Sequence, residues 1–222
     1  ARDSDGWMTF DQVLTAKVAN AGGLTWKIEF CCERPKVRGH VLSPDRIEAA
    51  CARQQTSPFV DDRAIIVGLD WGLMSMAVAV VCGLTVDGFL CSPDCKVFED
   101  MQSSDEIAQI IKGWRDRYQR DLIVYADAEE TYGNQQLELA GVKGVPVPFA
   151  TWKRYGYDNL NLWLDYCRLK IVETGDAARV GIPQLKKLHR TAAGKIAKIA
   201  DHYPDACMCA VLPFGFMEMA GN

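Results

Sequence analysis

No apolar run in the 222-residue chain reaches the roughly 18 residues needed to cross a bilayer. The opening Ala1-Arg2-Asp3-Ser4-Asp5 lacks the basic-then-apolar order of a signal peptide, so a cytosolic protein without membrane contact is expected. No G-x-x-x-x-G-K-[ST] phosphate loop is present, which excludes a P-loop motor within these residues. With the start at Ala1, that absence leads us to expect an excised domain or a chain without a motor of its own. There is no basic excess either. A formal net charge of −4 argues against a general nucleic-acid coat, although it leaves room for a nuclease with a local basic surface. Nine cysteines, an odd number, are scattered in apolar settings such as Cys82, Cys207 and Cys209, as buried thiols in a reducing compartment would be. Cys31-Cys32 and Cys91-x-x-x-Cys95 are the tighter groups, and no His or Cys pair at a complementary spacing completes four zinc ligands.

What is present is a globular composition, 49% hydrophobic and 24% charged, enough for one good core. Ala64-Ile65-Ile66-Val67-Gly68-Leu69 is apolar without alternation, bounded by Asp61-Asp62-Arg63 and by Gly72, and reads as a buried central strand. Asp70 sits where that strand leaves the sheet. A second run, Leu122-Ile123-Val124-Tyr125-Ala126, ends on Asp127. A carboxylate beside so apolar a run is costly without a cation or hydrogen bonds. Open α/β sheets place ligands at the carboxyl ends of their strands, so two aspartates delivered there point to a cluster that holds divalent metal.

The rest of the chain fits around these strands. Residues 1–60 read as an N-terminal extension and 61–222 as the main domain. Within the extension, Phe10–Leu14 reads as a short helix, Leu24–Phe30 alternates like a strand or lies along the core, and Ser43 caps a helix through Pro44 with Ile47, Ala50 and Cys51 as its apolar stripe. Met74–Cys82 is a second strand, Asp87-Gly88 a tight turn, and Phe89-Leu90 with Lys96-Val97-Phe98 a third, antiparallel strand. Ser103-Ser104-Asp105-Glu106 opens a helix with Ile107, Ile110, Ile111 and Trp114 at helical spacing. After the strand to Asp127, helix is expected over Asn134–Leu139, a proline-limited edge strand over Gly144–Phe149, and helix over Leu160–Leu169 with Trp163, Cys167 and Leu169 inward. The order matches a ribonuclease H-like layout, α/β with three antiparallel strands beside parallel ones and helices on the faces.

Near the C-terminus, Asp201-His202-Tyr203-Pro204-Asp205 turns from polar to apolar and reads as a helix start, with 201 and 205 at i,i+4 on one face. Its acids face the strand-borne pair, or serve only as cap and dipole partners. Glu129 and Glu130 read as solvated loop or helix-start residues, the alternative being that one of them reaches the site. Lys186-Lys187-Leu188-His189-Arg190, continuing to Lys195 and Lys198, is the densest basic stretch; it is either a solvated helix face or a phosphate contact. Trp152-Lys153-Arg154-Tyr155 is a smaller aromatic and basic candidate.

Gly68-Leu69-Asp70-Trp71-Gly72, Tyr125-Ala126-Asp127-Ala128-Glu129-Glu130 and Asp201-His202-x-x-Asp205-Ala206 together resemble the nuclease domain of the bacteriophage large terminase subunit, related to Holliday-junction resolvases. Lys27-Ile28-Glu29-Phe30 and Gly39-His40-Val41-Leu42-Ser43-Pro44 resemble the segment that precedes it, so the likeness runs from about residue 25 to 212. The sequence departs from the family at Cys207-Met208-Cys209, where a basic and aromatic pair is common, and shows no clear hairpin over 173–195. The resemblance implies a two-metal endonuclease that cuts double-stranded DNA with low sequence specificity during packaging in the host cytoplasm. Asp70 would bridge two Mg²⁺ or Mn²⁺ ions, with Asp127 on one and Asp205 on the other. His202 would be a further ligand or a proton carrier, and Asp201 the alternative fourth acid. It also implies a P-loop ATPase domain, small terminase subunit and portal as partners; the charge pattern offers Lys186, Lys187, Arg190, Lys195, Lys198, Lys153 and Arg154 as the candidates for contact with DNA. Two alternatives are an actin-like or sugar-kinase ATP-binding domain, which Leu73-Met74-Ser75-Met76 fits poorly for want of a phosphate loop, and a catalytically silent docking domain.

Overall fold

The computed structural model describes residues 39–72, 76–99, 102–191, 195–197 and 201–215. The elements expected over Phe10–Leu14 and Leu24–Phe30, the Cys31-Cys32 pair and Lys198 lie outside them. The described elements are, in chain order, α1 (Pro44–Ala50), β1 (Cys51–Ala52), β2 (Ile65–Asp70), β3 (Ala77–Leu84), β4 (Leu90–Ser92), β5 (Cys95–Phe98), α2 (Ser104–Tyr118), β6 (Leu122–Asp127), α3 (Thr131–Leu139), β7 (Lys143–Val147), α4 (Phe149–Asp165), β8 (Leu169–Val172), a π-helical turn (Ala177–Gly181), α5 (Ile182–Lys187) and α6 (His202–Val211). The strands form one mixed sheet in the order β1-β8-β4-β3-β2-β6-β7, with β5 also on β3. The β2–β3 pair is antiparallel and the β2–β6 and β6–β7 pairs are parallel. This is a ribonuclease H-like α/β sheet with helices on both faces.

Central strand β2 lacks alternation because both of its faces are covered. Ile65, Val67 and Leu69 point into one apolar layer with Ile107, Ile111, Trp114 and Leu137 of α2 and α3. Ile66 points into the other layer, with Leu160 and Trp163 of α4, Ala206 and Ala210 of α6, and Val41, Leu42, Ile47 and Ala50 around α1. Gly68 lets α6 lie directly on the strand. A Cβ there would fall 1.8 Å from the Ala206 carbonyl oxygen and 2.4 Å from the Ala210 nitrogen, so no other residue type fits.

The expected tight turn closes β3 on β4: Thr85 Oγ1 donates to Asp87 Oδ1 at 2.6 Å, and Gly88 takes φ +78°. Helix α2 starts as expected, with the Ser103 N–H donating to Glu106 Oε2 at 3.1 Å. Its Ile107, Ile111 and Trp114 are buried, whereas Ile110 is exposed.

Several expectations are corrected. The third antiparallel strand is two strands, because Pro93 between β4 and β5 has no N–H to continue the ladder. Strand β6 is not buried on both faces. Its Leu122, Val124 and Ala126 are covered while Ile123, Tyr125 and Asp127 are only partly so. The edge strand ends at Val147, and Phe149 opens α4, eleven residues before the expected start. That helix stops at Asp165; Cys167 is exposed with φ +55°, and Leu169 belongs to β8, which pairs in parallel with β4 and β1. Cys51 lies in β1 rather than on the α1 stripe. Cys91 and Cys95 are buried in opposite apolar layers and share no ligand position.

Candidate functional site

In the parallel β2–β6 pair Leu69 is registered on Ala126, and the next residue on each strand is an aspartate. Asp70 and Asp127 therefore stand side by side at the carboxyl edge of the sheet. Strand periodicity puts them on the same face as Gly68 and Tyr125, the face that α6 covers. Burial raises the pKa of Asp127, and the charges of Glu129 and Asp70 raise it further, against the Glu129 N–H and Lys153, which lower it. That N–H donates to Asp127 Oδ1 at 3.1 Å. Glu130, at the N-cap position of α3, belongs to the same field: burial first, then Asp127, Asp70 and Glu129, lift its pKa.

The first turn of α6 supplies the facing groups. Asp201 occupies the N-cap position, but its side chain caps no backbone N–H; it accepts from Lys153 Nζ at 3.2 Å. Asp205 is buried, its Oδ2 receiving Lys153 Nζ at 2.6 Å and its Oδ1 the Tyr157 hydroxyl at 2.5 Å. Lys153 and Tyr157 are one turn apart on α4, so one helix face delivers both donors. Burial pushes the Asp205 carboxyl up to about 6 in spite of Lys153 and Tyr157, which lower it. For Lys153, burial works against the charged form, but Asp205 and Asp201 outweigh it and raise the ammonium's pKa. His202 Nδ1 donates to Asp70 Oδ2 at 2.8 Å, and that bond is the largest cause of the raised imidazole pKa. Asp205, Asp70 and Asp127 all act on the buried thiol of Cys209, one turn past Asp205, and add to the effect of burial in raising its pKa.

As they stand, no three Asp, Glu, His or Cys side chains among the described residues converge on a single ion position. Asp205 is turned to Lys153 and Tyr157, and Asp70 to His202. The donor set is nevertheless that of a hard divalent cation: carboxylate oxygens, one imidazole, and no ionised thiol, since Cys209 is held protonated by burial.

The basic residues are spread out. Lys186, on α5, pairs with Glu48 of α1. Lys187 ends α5 and is exposed. Beyond it the chain doubles back, with Arg190 bridged antiparallel to Ile196 and the Thr191 N–H donating to the Lys195 carbonyl at 2.7 Å. The stretch is therefore not one helix face, because Leu188 leaves helical geometry with ψ 118°. Arg154 is exposed on α4 with Asp158 at 3.9 Å, between Trp152 and Tyr155, whose rings meet edge to face at 5.5 Å. Tyr157 was not singled out from sequence. Its i+4 spacing from Lys153 is the signal that places it.

No protein-family model matches the sequence, and no curated protein does. Among solved structures the fold is that of terminase nuclease domains. The chain is similar to the large terminase nuclease of thermophilic phage G20c with bound magnesium, at 15% identity and TM-score 0.61, over 78% of this chain and 97% of that one. A cobalt-bound form of the same nuclease matches at TM-score 0.60, 15% identity and the same coverage. The P22 large terminase nuclease domain matches at 17% identity and TM-score 0.59, over 78% and 92%. The large terminase of a second thermophilic bacteriophage matches at 11% identity and TM-score 0.70 with ATP-γ-S bound, over 95% of this chain and 53% of that one. The chain thus spans about half the length of that last protein.

Proposed function

We propose that this chain is a metal-dependent endonuclease that hydrolyses phosphodiesters of double-stranded DNA with low sequence preference. The observation that carries the reading is the adjacent register of Asp70 and Asp127 on parallel central strands, faced by Asp205 and His202 from α6. Metal-bound forms of a similarly folded nuclease support it. Asp70, Asp127 and Asp205 would hold Mg²⁺ or Mn²⁺, two ions in the cutting state, with Asp201 or His202 as the further group. Bound there, the metal supplies an ionised water at neutral pH and stabilises the leaving oxygen.

The chain's own residues do the remaining work. Asp70 orients the His202 imidazole and raises its pKa, which suits it to hold a proton at Nε2. Gly68 fixes the distance of α6 from the sheet, and with it the reach of Asp205. Trp152, Arg154 and Tyr155 beside the cluster, with Lys187, Arg190 and Lys195, form the proposed DNA track; Lys186 and Lys153 contribute only by leaving Glu48 and Asp205. In a packaging assembly the partners would be a P-loop ATPase domain, small terminase subunit and portal, in the host cytoplasm.

The test is relaxation of supercoiled plasmid with Mn²⁺, Mg²⁺ or EDTA and no ATP. Cleavage with either metal and none with EDTA is expected. Asp70→Asn and Asp127→Asn should each lower the rate about a thousandfold, ~4 kcal/mol of transition-state stabilisation, with circular dichroism unchanged. Cleavage that survives EDTA contradicts the proposal, and cleavage that requires ATP supports the kinase-like alternative. A silent docking domain would show neither.

A further inference from the structure

We propose that Lys153 is a resident counter-ion: its ammonium fills the cation position at Asp201 and Asp205, so that the DNA-free cluster loads one divalent ion, at Asp70 and Asp127, and admits a second only when Lys153 leaves. The inference rests on the metal-centre reading above.

The two halves of the cluster differ in what already satisfies them. Both oxygens of Asp205 are taken, Oδ1 by the Tyr157 hydroxyl and Oδ2 by Lys153. Asp201 shares the same ammonium. These groups are largely withdrawn from water, with side-chain exposures of 22% for Lys153, 16% for Asp201 and 7% for Asp205. Two carboxylates so placed need a compensating positive charge, and Lys153 supplies it in the absence of metal. The ammonium also lies 5.6 Å from the centroid of the Phe149 ring, one turn back on α4, which holds it from a second side.

On the strand side, Asp70 has its Oδ2 on His202 and Asp127 its Oδ1 on the Glu129 N–H. Asp70 Oδ1 and Asp127 Oδ2 accept from no other described residue. Among the described residues, each strand aspartate therefore keeps one oxygen without a partner, at adjacent positions of the parallel register. A divalent ion entering there displaces none of the described side chains. An ion entering at Asp205 competes with a bonded ammonium for the same oxygen, so the positions load in sequence. Lys153 is a positioning residue in this account.

The experiment is Mn²⁺ titration calorimetry on the DNA-free protein, paired with thermal melts, for wild type, Lys153→Met and Asp70→Asn. Methionine keeps an unbranched apolar stem over Phe149 and removes the charge. Wild type should bind one ion. Lys153→Met should bind a second, about tenfold tighter than wild type binds any second ion, the scale of removing one competing charge at a partly buried site. Metal-free Lys153→Met should melt below wild type, and Mn²⁺ should raise its Tm more than it raises that of wild type. Equal stoichiometry in the two proteins, or a Lys153→Met protein that Mn²⁺ does not restabilise, overturns the proposal. Wild type that takes up no Mn²⁺, or Asp70→Asn that keeps the wild-type site, overturns the metal-centre reading itself.

Discussion

His202 Nδ1 lies 2.8 Å from Asp70 Oδ2, a bond between the first turn of α6 and the end of β2 across 132 positions of sequence. It ties the proposed centre to the fold, because the pair that orients the imidazole also fastens the helix to the central strand.

That pair gives the metal-free protein a pH dependence with a definite sign. The folded pKa of His202 is raised above its ordinary 6.5, so its contribution to stability is full below about pH 6.5 and is lost as pH rises through the folded value. Asp205 acts in the same direction at lower pH: raised from 3.8 to about 6, it favours the folded state most when protonated and gives up that contribution as pH rises through about 6. Melts in EDTA should therefore show Tm falling as pH rises from about 5 through and beyond 6.5, and His202→Gln should flatten the upper part of that fall. A wild-type profile that rises over the same interval would contradict both assignments.

Gly68→Ala probes the seat of α6. The added methyl would meet backbone atoms of Ala206 and Ala210, which have no rotamer to change, so the helix must lift off β2. A loss of about 3 kcal/mol or more in urea unfolding is expected, at the upper end for overpacked cores. Gly144→Ala is the control, since its new Cβ meets nothing within 4 Å. It should lie within about 0.5 kcal/mol of wild type, as surface substitutions usually do. A mild Gly68→Ala would mean that α6 sits farther from the sheet than 1.8 Å implies.

Charge neutralisation at Lys187, Arg190 and Lys195 should weaken duplex binding and reduce the slope of log affinity against log salt by roughly 0.9 per lost phosphate contact. Lys186→Ala should change the slope less than the triple, because Lys186 already pairs with Glu48. An unchanged slope in the triple variant would move the DNA track to Trp152, Arg154 and Tyr155.

Much of the architecture was legible from local signals. The unalternating run before Asp70, the Asp87-Gly88 turn and the Ser103 and Glu106 pair each act within a few residues, and each is where the sequence put it. Strand β8 was not, because Leu169–Val172 is short and its direction depends on Cys167 adopting φ +55° to reverse the chain after α4. The register of Asp70 on Asp127 was readable as two strands ending in acids. Lys153 was not readable as an internal partner: a lysine between a tryptophan and an arginine looks like surface, and only the crossing of α4 over α6 turns it onto Asp201 and Asp205. The doubling back at Arg190 is likewise a tertiary outcome, made by bridges from His189 to His40 and from Arg190 to Ile196.

The most direct measurement is an anomalous difference map from a crystal of the DNA-free protein soaked in Mn²⁺. A peak within ligand distance of Asp70 and Asp127, about 2.2 Å from their oxygens as for hard divalent cations, is the expected result. Ordered density for both carboxylates without a peak between them, at a Mn²⁺ concentration that supports plasmid cleavage, would contradict the assignment of this sheet edge as the metal centre.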